Sequence, residues 1–378
     1  MAMAIALIVI VAATTLFHLL SPWWATPLAS NWRQMDDTLT ITLLITAFFF
    51  VVIHFFVVYT LLRFRHRQGS RAAYQPDNRK LERWLTGGTT LGIMALLAPG
   101  LFVYADYIKA PHDALVVEVL GQQWQWHYRF PGASGKLGGT DARFVSAANP
   151  FGLDPKDPAG QDNILVRGGE MHLPLGKPVK LLLRSHDVLH DFFVPPFRAR
   201  MNIVPGMVTT FWFTPTKAGR FEAMCAQLCG VGHFNMRSIV VVEDEAAFRA
   251  WLKAQPTFAL SMAAPGTAGA PAGPAGADTL ATQGRALAQS KGCVACHTVD
   301  GSPGVGPTWK GLYGKTETMT DGSAVRVDED YLKRSVREPQ AQVVKGFAPI
   351  MPAAPMTADE LAALVAYIKS ASAPQAQQ

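Results

Sequence analysis

A twelve-residue segment, Cys225–Met236, carries the most distinctive chemistry in the chain. Cys225 and Cys229 stand four positions apart, His233 follows four positions later, and Met236 ends the segment. Thiolate, imidazole and thioether form a soft ligand set that favours copper over magnesium or calcium, so we call this segment the copper loop. The two cysteines could bridge two metal ions, with the histidine and the methionine as terminal ligands. A disulfide would explain neither of those last two residues, and zinc rarely takes a thioether.

A second cluster lies nearer the C-terminus, where Cys293, Cys296 and His297 form a C-x-x-C-H pattern. This pattern is typical of covalent haem attachment in c-type cytochromes. The two thiols add to the haem vinyl groups, and the histidine is the proximal ligand of the iron. The chain contains four cysteines, so the two clusters account for all of them. No cysteine is left for a structural disulfide.

The residues around the C-x-x-C-H pattern predict a small helical domain over residues 279–372. Thr279–Lys291 can form a helix that leads into the pattern. Thr357–Glu360 has the sequence of a capping box, which indicates the start of a closing apolar helix over Leu361–Lys369.

Two segments of this domain, Gly304–Pro307 and Leu312–Gly314, resemble loops of class I cytochromes c. The resemblance implies an all-α cytochrome c fold with a methionine as the second iron ligand, which would raise the haem potential. Met351 matches the family's axial position, and Met356 is the alternative.

The copper loop itself resembles the binuclear copper (CuA) loop of haem–copper oxidase subunit II. That family takes one more histidine from upstream, and Asp187–Phe192 resembles the segment that supplies it. The match falls on His190, although spacing alone does not separate it from His186. The ligand set that the resemblance implies is His190, Cys225, the main-chain carbonyl of Gln227, Cys229, His233 and Met236. Many relatives carry a glutamate at the position of Gln227, which also helps to hold magnesium at the interface with subunit I. Gln227 lacks that charge, so magnesium is left open.

The N-terminal third is strongly apolar. Residues 31–110 predict a transmembrane hairpin, because Leu39–Leu62 and Leu85–Ile108 are each long enough to cross a bilayer. Residues 1–30 are either a signal peptide or an additional transmembrane helix. The loop between the two long spans, residues 63–83, carries seven Arg and Lys against two acidic residues, a balance of +5 out of a net charge of +6. The positive-inside rule predicts that this loop is cytoplasmic and that the later domains are periplasmic, in a bacterial inner membrane. The remaining chain is nearly balanced in charge, which argues against nucleic-acid binding.

Glu82 lies just before the second long span. In relatives, a glutamate near this position admits protons to the K pathway of the oxidase, three residues before a tryptophan. Here Trp84 follows after only two residues. A solvated carboxylate at the membrane surface is therefore the alternative role.

Residues 111–253 change to short β-branched or alternating segments with Gly and Pro between them, which predicts a β-sandwich. The predicted strands are Ala114–Leu120, Val179–Arg184, Met207–Phe213 and Ser238–Val242. The resemblance to subunit II implies a cupredoxin-like Greek-key sandwich. Trp124 and Trp126 would share one face of a strand and form an aromatic patch. The resemblance implies that Trp124 is the electron-entry residue, and ordinary packing is the alternative. Residues 254–278, rich in Ala, Gly and Pro, read as a linker without an apolar face.

Taken together, the chain resembles subunit II of a cytochrome-c-fused (caa-type) terminal oxidase, a multi-domain membrane protein. The resemblance implies electron flow from cytochrome c or another periplasmic donor through haem c and CuA to haem in subunit I, where dioxygen is reduced with proton pumping. The implied partners are subunit I, other oxidase subunits and membrane lipid. Two alternatives remain at this point. One is the electron-entry subunit of a copper-containing nitric oxide reductase, and the other is a membrane-anchored copper-delivery protein.

Overall fold

The computed structural model describes the chain except for residues 22–25, 67, 70, 72–76, 147, 264–278, 355 and 373–378. The described residues divide into two compact units. The first contains Met1–Lys109 together with Pro196–Arg198, and the second contains Ala110–Pro195 and Ala199–Gln378.

The first unit is built from three helices, α1 (Ala2–Leu20), α2 (Arg33–Arg63) and α3 (Arg79–Ile108). By length and composition, all three are able to cross a membrane. The two predicted spans lie inside α2 and α3, which begin several residues earlier than the apolar runs. At α3 the cause is a cap, because the side chain of Asn78 accepts a hydrogen bond from the backbone N–H of Leu81.

Residues 196–198 join this unit through polar contacts near the start of α2. The backbone N–H of Ala29 donates to the carbonyl of Pro196 at 2.7 Å, and the hydroxyl of Ser30 donates to the carbonyl of Phe197 at 2.6 Å. The guanidinium of Arg198 donates to both carboxylate oxygens of Asp36, at 2.6 and 3.0 Å. Such a bidentate ion pair fixes both the distance between the two side chains and their relative orientation.

The second unit opens with a β-sandwich. Among the described residues its ten strands are β1 (Leu115–Gln122), β2 (Gln125–Phe130), β3 (Ile164–Arg167), β4 (Met171–Pro174), β5 (Val179–Ser185), β6 (His190–Val194), β7 (Ala199–Ile203), β8 (Thr209–Phe213), β9 (Gly219–Cys225) and β10 (Arg237–Glu243). They form two sheets, in the orders β3-β2-β1-β5-β8 and β4-β10-β9-β6-β7. Neighbours that are not consecutive in sequence mark the crossovers expected of a cupredoxin-like sandwich. The prediction of this fold is confirmed.

Alternation along the strands builds the core of the sandwich. In β5, Val179, Leu181 and Leu183 are fully buried, while the residues between them are partly exposed. Side chains two apart on a strand share one face, so this pattern presents a continuous apolar surface to the opposite sheet.

One strand pair positions the copper loop. β6 and β9 run antiparallel, with Phe192 opposite Cys225. The start of β6 therefore lies beside the end of β9, and these two ends carry His190 and Cys225.

The predicted linker starts later than expected. After α4 (Glu245–Ala254), residues 258–263 form another helix, α5 (Phe258–Ala263), against the sandwich. The backbone N–H of Phe258 donates to the carbonyl of Asn163 at 2.7 Å, and its ring is 1% exposed. The ring completes a buried cluster with Leu120, Phe151, Leu153 and Leu165. The prediction that residues 254–263 are linker is thus wrong, because a single aromatic side chain without periodic neighbours anchors them. Residues 264–278 lie outside the described part.

The described residues of the predicted cytochrome c domain form three α-helices, α6 (Thr279–Ser290), α7 (Glu329–Arg337) and α8 (Ala358–Ser372). The capping box is present, because Glu360 accepts from the backbone of Thr357 at 2.9 Å and Thr357 accepts from the backbone of Glu360 at 3.2 Å. A short hairpin of β11 (Thr316–Thr318) and β12 (Ala324–Arg326) is added to the predicted helices.

We predict that Phe258→Ala destabilises the copper domain, measured as a fragment that starts at residue 110 and ends at Ala263. Removing a buried phenylalanine should lower the free energy of unfolding by about 3–5 kcal/mol. Leu260→Ala is the matched control, since Leu260 lies in the same helix and is 63% exposed. Equal denaturation midpoints for the two variants would contradict the assignment of Phe258 to the core.

Candidate metal centre

The side chains predicted to bind copper converge at one end of the sandwich. The Sγ atoms of Cys225 and Cys229 lie 3.7 Å apart. His190 lies on one side of this pair, with its Nδ1 4.0 Å from Sγ of Cys225. The ligating atoms of these three residues all lie within 4.8 Å of one another.

The other two predicted ligands lie on the opposite side of the pair. Nδ1 of His233 is 3.5 Å from Sγ of Cys229, and Sδ of Met236 is 3.9 Å from the same sulfur. The backbone carbonyl oxygen of Gln227 is 3.1 Å from Sγ of Cys225, so the loop turns this carbonyl inwards. The arrangement places one histidine beside each sulfur of the pair, where these residues would hold copper.

Asp187 orients His190. The Nε2 atom of His190 lies 2.8 Å from Oδ1 of Asp187. A carboxylate accepts hydrogen bonds, so Nε2 carries the proton and Nδ1 is left to face Cys225. The sequence already held a signal for this residue, an acid three positions before the histidine, but spacing alone did not reveal its role. The pairing of β6 with β9 explains why His190 is the residue placed beside Cys225.

The two thiols are electrostatically coupled. A hydrogen bond from Cys229 lowers the pKa of Cys225 well below its usual range, while the bond to Cys225 raises the pKa of Cys229. Burial disfavours the charged form of His190, but its hydrogen bonds with Asp187 and Cys225 raise its pKa. One thiolate therefore forms readily, whereas a second one at 3.7 Å needs a cation beside it. This set of soft ligands needs added positive charge before both thiols can ionise. A pair of copper ions would supply that charge and suits these ligands.

Trp124 is joined directly to the copper loop. Its indole N–H donates to the carbonyl of Cys229 at 3.0 Å, and the side-chain amide of Gln123 donates to the same carbonyl at 2.9 Å. The ring packs on Gly232, where a Cβ atom would lie 2.4 Å from the ring. The two side chains are thereby fixed on the loop that carries the ligands.

Trp126 has a different environment from Trp124. It lies in β2, is 1% exposed, and makes an edge-to-face contact with Phe192. Trp124 lies in the turn before that strand. The prediction that the two residues share one face of a strand is therefore wrong, because the alternation rule applies only when both residues are on a strand. Both side chains nevertheless line one cleft.

The C-x-x-C-H pattern lies on a mostly apolar cavity. Its lining includes Cys293, Cys296, His297, Met351 and Met356. Nδ1 of His297 lies 2.8 Å from the carbonyl oxygen of Pro307, which can only accept, so this nitrogen carries the proton. Burial lowers the pKa of His297, which keeps the ring neutral. Its Nε2 would then be free to hold the iron of a haem, and the apolar lining of the cavity fits that group.

The two candidate methionines for the sixth position both line this cavity, so Met351 stays a prediction. The carbonyl of Met351 accepts a hydrogen bond from the side-chain amide of Gln340 at 3.2 Å. Glu82, the predicted proton-entry residue, lies exposed in the first turn of α3, and its role also stays a prediction.

We predict that Cys225→Ser abolishes the binuclear copper spectrum, because a hydroxyl is a poor bridge between two soft metal ions. Gln227→Ala is the matched control, two residues away. A carbonyl ligand does not depend on its side chain, so this variant should keep both copper ions. The measurement is copper content and near-infrared absorption of the purified chain. Two coppers in Cys225→Ser, or none in a folded Gln227→Ala, would show that the assignment is wrong.

We predict that Met351→Ala removes the sulfur-to-iron charge-transfer band and lowers the haem potential, because a thioether ligand raises that potential. Met356→Ala should change neither. Visible absorption and redox titration measure both quantities. The opposite pattern would assign the ligand to Met356.

Two family models match this chain, one over the segment that holds the copper loop and one over the segment that holds the C-x-x-C-H pattern. The family described as cytochrome c oxidase subunit II, periplasmic domain, matches residues 115–244, and the cytochrome c family matches residues 281–372. The chain is 53% identical over 259 residues to the alternative cytochrome c oxidase subunit 2 of Bradyrhizobium diazoefficiens, which covers 68% of this chain and 94% of that protein.

A second relative extends over more of the chain. It is the cytochrome c oxidase subunit 2 of Alkalihalophilus pseudofirmus, 25% identical over 352 residues, or 88% of this chain and 86% of that protein. A solved structure, the periplasmic domain of subunit II of cytochrome oxidase from Bradyrhizobium japonicum, is 24% identical and covers 38% of this chain and 95% of its own, with a TM-score of 0.28. On the strength of the 53% identity to a relative covered almost in full, the chain belongs to the cytochrome c oxidase subunit 2 family and carries a cytochrome c domain after its copper domain.

Proposed function

We propose that this chain is the electron-entry subunit of its oxidase, in which electrons enter at the cytochrome c domain, cross Trp124 and reach the copper loop before they pass to subunit I. Haem c and the copper pair supply one-electron carriers when bound. The chain's own residues hold those carriers and fix the path between them. Dioxygen reduction and proton pumping then belong to subunit I.

One observation carries this proposal. The cavity that holds the C-x-x-C-H pattern is also lined by Trp124 and Val231 of the copper domain. The indole of Trp124 donates its N–H to the carbonyl of Cys229. A single side chain therefore borders the cavity of the C-x-x-C-H pattern on one side and is hydrogen-bonded, on the other, to the backbone carbonyl of Cys229, which would help to hold copper. This supports Trp124 as the connection between the two sites.

Other residues fix the predicted ligands at the two ends of the proposed electron path. Trp309 stacks on His297, with ring centroids 5.3 Å apart and planes inclined by 17°, so it fixes the imidazole ring. Asp187 does the same for His190 by a hydrogen bond. His190, Cys225, Cys229 and Met236 are all buried, which keeps water from competing for the metal.

The three apolar helices support a membrane-anchored subunit. The charge of the loop between α2 and α3 supports its placement in the cytoplasm and the metal domains on the outer side of a bacterial inner membrane. The donor would be a periplasmic cytochrome c or a similar small redox protein. Magnesium is not part of the proposal, because Gln227 offers an amide where a carboxylate would be needed.

We predict that an oxidase assembled with a chain that ends after Ala263 keeps its copper but loses most of its oxygen consumption at low donor concentration. A tethered domain acts at an effective concentration on the order of millimolar, and removing it makes electron delivery bimolecular. The copper domain should remain folded because Phe258 is retained. Adding the separate cytochrome domain at high concentration should restore part of the rate.

The control is the full-length enzyme at the same donor concentration, measured with an oxygen electrode. Unchanged turnover after truncation would contradict the proposal and would mean that electrons reach copper without the fused domain.

A further inference from the structure

We propose that Gly292 and Asn235 form a docking seat that holds the cytochrome c domain against Trp124, and that position 292 must lack a side chain for this docking. The inference rests on the proposed function, since it specifies how the two domains meet for electron transfer. It concerns the positioning of the domains rather than the ligands themselves.

Gly292 supplies the first half of the seat. It directly precedes Cys293 and has a φ of +70°, a conformation that favours glycine. A Cβ atom at this position would lie 2.9 Å from the carbonyl oxygen of Gln123 and 3.1 Å from the backbone nitrogen of Trp124. These neighbours are main-chain atoms and cannot rotate away. The haem-attachment loop and the turn that carries Trp124 are thus in direct backbone contact.

Asn235, on the copper loop, supplies the second half of the docking seat. Its side-chain amide donates a hydrogen bond to the carbonyl of Ala295, inside the C-x-x-C-H pattern. Asn235 lies between the copper ligands His233 and Met236, and its own backbone N–H donates to the carbonyl of Gly232 at 3.0 Å. The amide is therefore presented by the copper loop itself. Both contacts lie within a few residues of the predicted metal-binding side chains. Docking at these two points therefore sets the distance between the haem site and the copper loop.

A cleft lies beside these two points, and residues of both domains line it, among them Trp124, Arg237, Val294 and Ala295. A methyl group at position 292 would meet main-chain atoms at 2.9 and 3.1 Å, so it pushes the haem-attachment loop away from the turn that carries Trp124. Electron transfer weakens steeply with that separation.

The test compares Gly292→Ala with Gly311→Ala in the full chain carrying haem and copper. Gly311 has a φ of +67° in the same domain, and a Cβ there would have nothing within 4 Å. Both variants pay the same backbone strain, so a difference between them reports the contact with Gln123 and Trp124. The first measurement is amide hydrogen exchange over residues 123–126 and 230–236. The second is the rate at which copper is reduced after flash reduction of the haem.

We expect Gly292→Ala to lose the protection of residues 123–126. A typical overpacking penalty weakens a docking equilibrium by about tenfold or more, and we expect internal electron transfer to slow by about the same factor. Gly311→Ala should match the wild type in both measurements. Should Gly292→Ala fail to attach haem, Asn235→Ala probes the same contact from the copper side and should also lose protection.

The docking seat is overturned if both Gly292→Ala and Asn235→Ala keep the hydrogen-exchange protection of the wild type. If those variants still transfer electrons from haem to copper, the proposed function stands. The proposed function is overturned instead if the variants lose protection but the wild type shows no transfer from haem to copper.

Discussion

Two sulfur atoms 3.7 Å apart cannot both be negatively charged inside a protein unless a cation lies beside them. The copper loop is built on this constraint. Cys225 is held near the thiolate form by its partner, and the second ionisation is left for a metal to drive. His190 and His233 stand at the two ends of the sulfur pair, where each can complete the coordination of one ion. The loop is therefore a site that becomes electrostatically complete only with its metal.

One continuous set of hydrogen bonds holds the two thiols and His190 in this arrangement. Asp187 bonds to His190 on one side and to the backbone N–H of Gln123 on the other, at 2.8 and 2.7 Å. The side chain of Gln123 then reaches the carbonyl of Cys229. The turn between β1 and β2 is thus bonded to both ends of the copper site. Trp124 belongs to the same turn, so the hydrogen bonds that fix the predicted ligands also fix the position of Trp124.

Much of this could be predicted from the sequence, because metal ligands are specified by residue type and spacing. Cys225, Cys229 and the C-x-x-C-H pattern are local signals. His190 came from resemblance, because a ligand on another strand is brought close only by the pairing of β6 with β9. Phe258 was missed since one aromatic residue in an Ala- and Gly-rich segment has no periodicity to reveal its burial. The contact of Gly292 with Gln123 was also beyond reach, because a docked position depends on two surfaces at once.

The hydrogen bonds that Gln123 and Trp124 donate to the carbonyl of Cys229 bear on the energetics of electron transfer itself. A site that gains and loses one unit of charge pays a reorganisation energy whenever its ligands or their surroundings must move. Here the backbone of Cys229, a predicted copper ligand, is restrained by two donors from the turn between β1 and β2, and the ring of Trp124 rests on Gly232. Dipoles fixed in advance cost little reorganisation at the moment of charge transfer. With copper bound, these fixed donors would favour fast electron exchange at a small driving force.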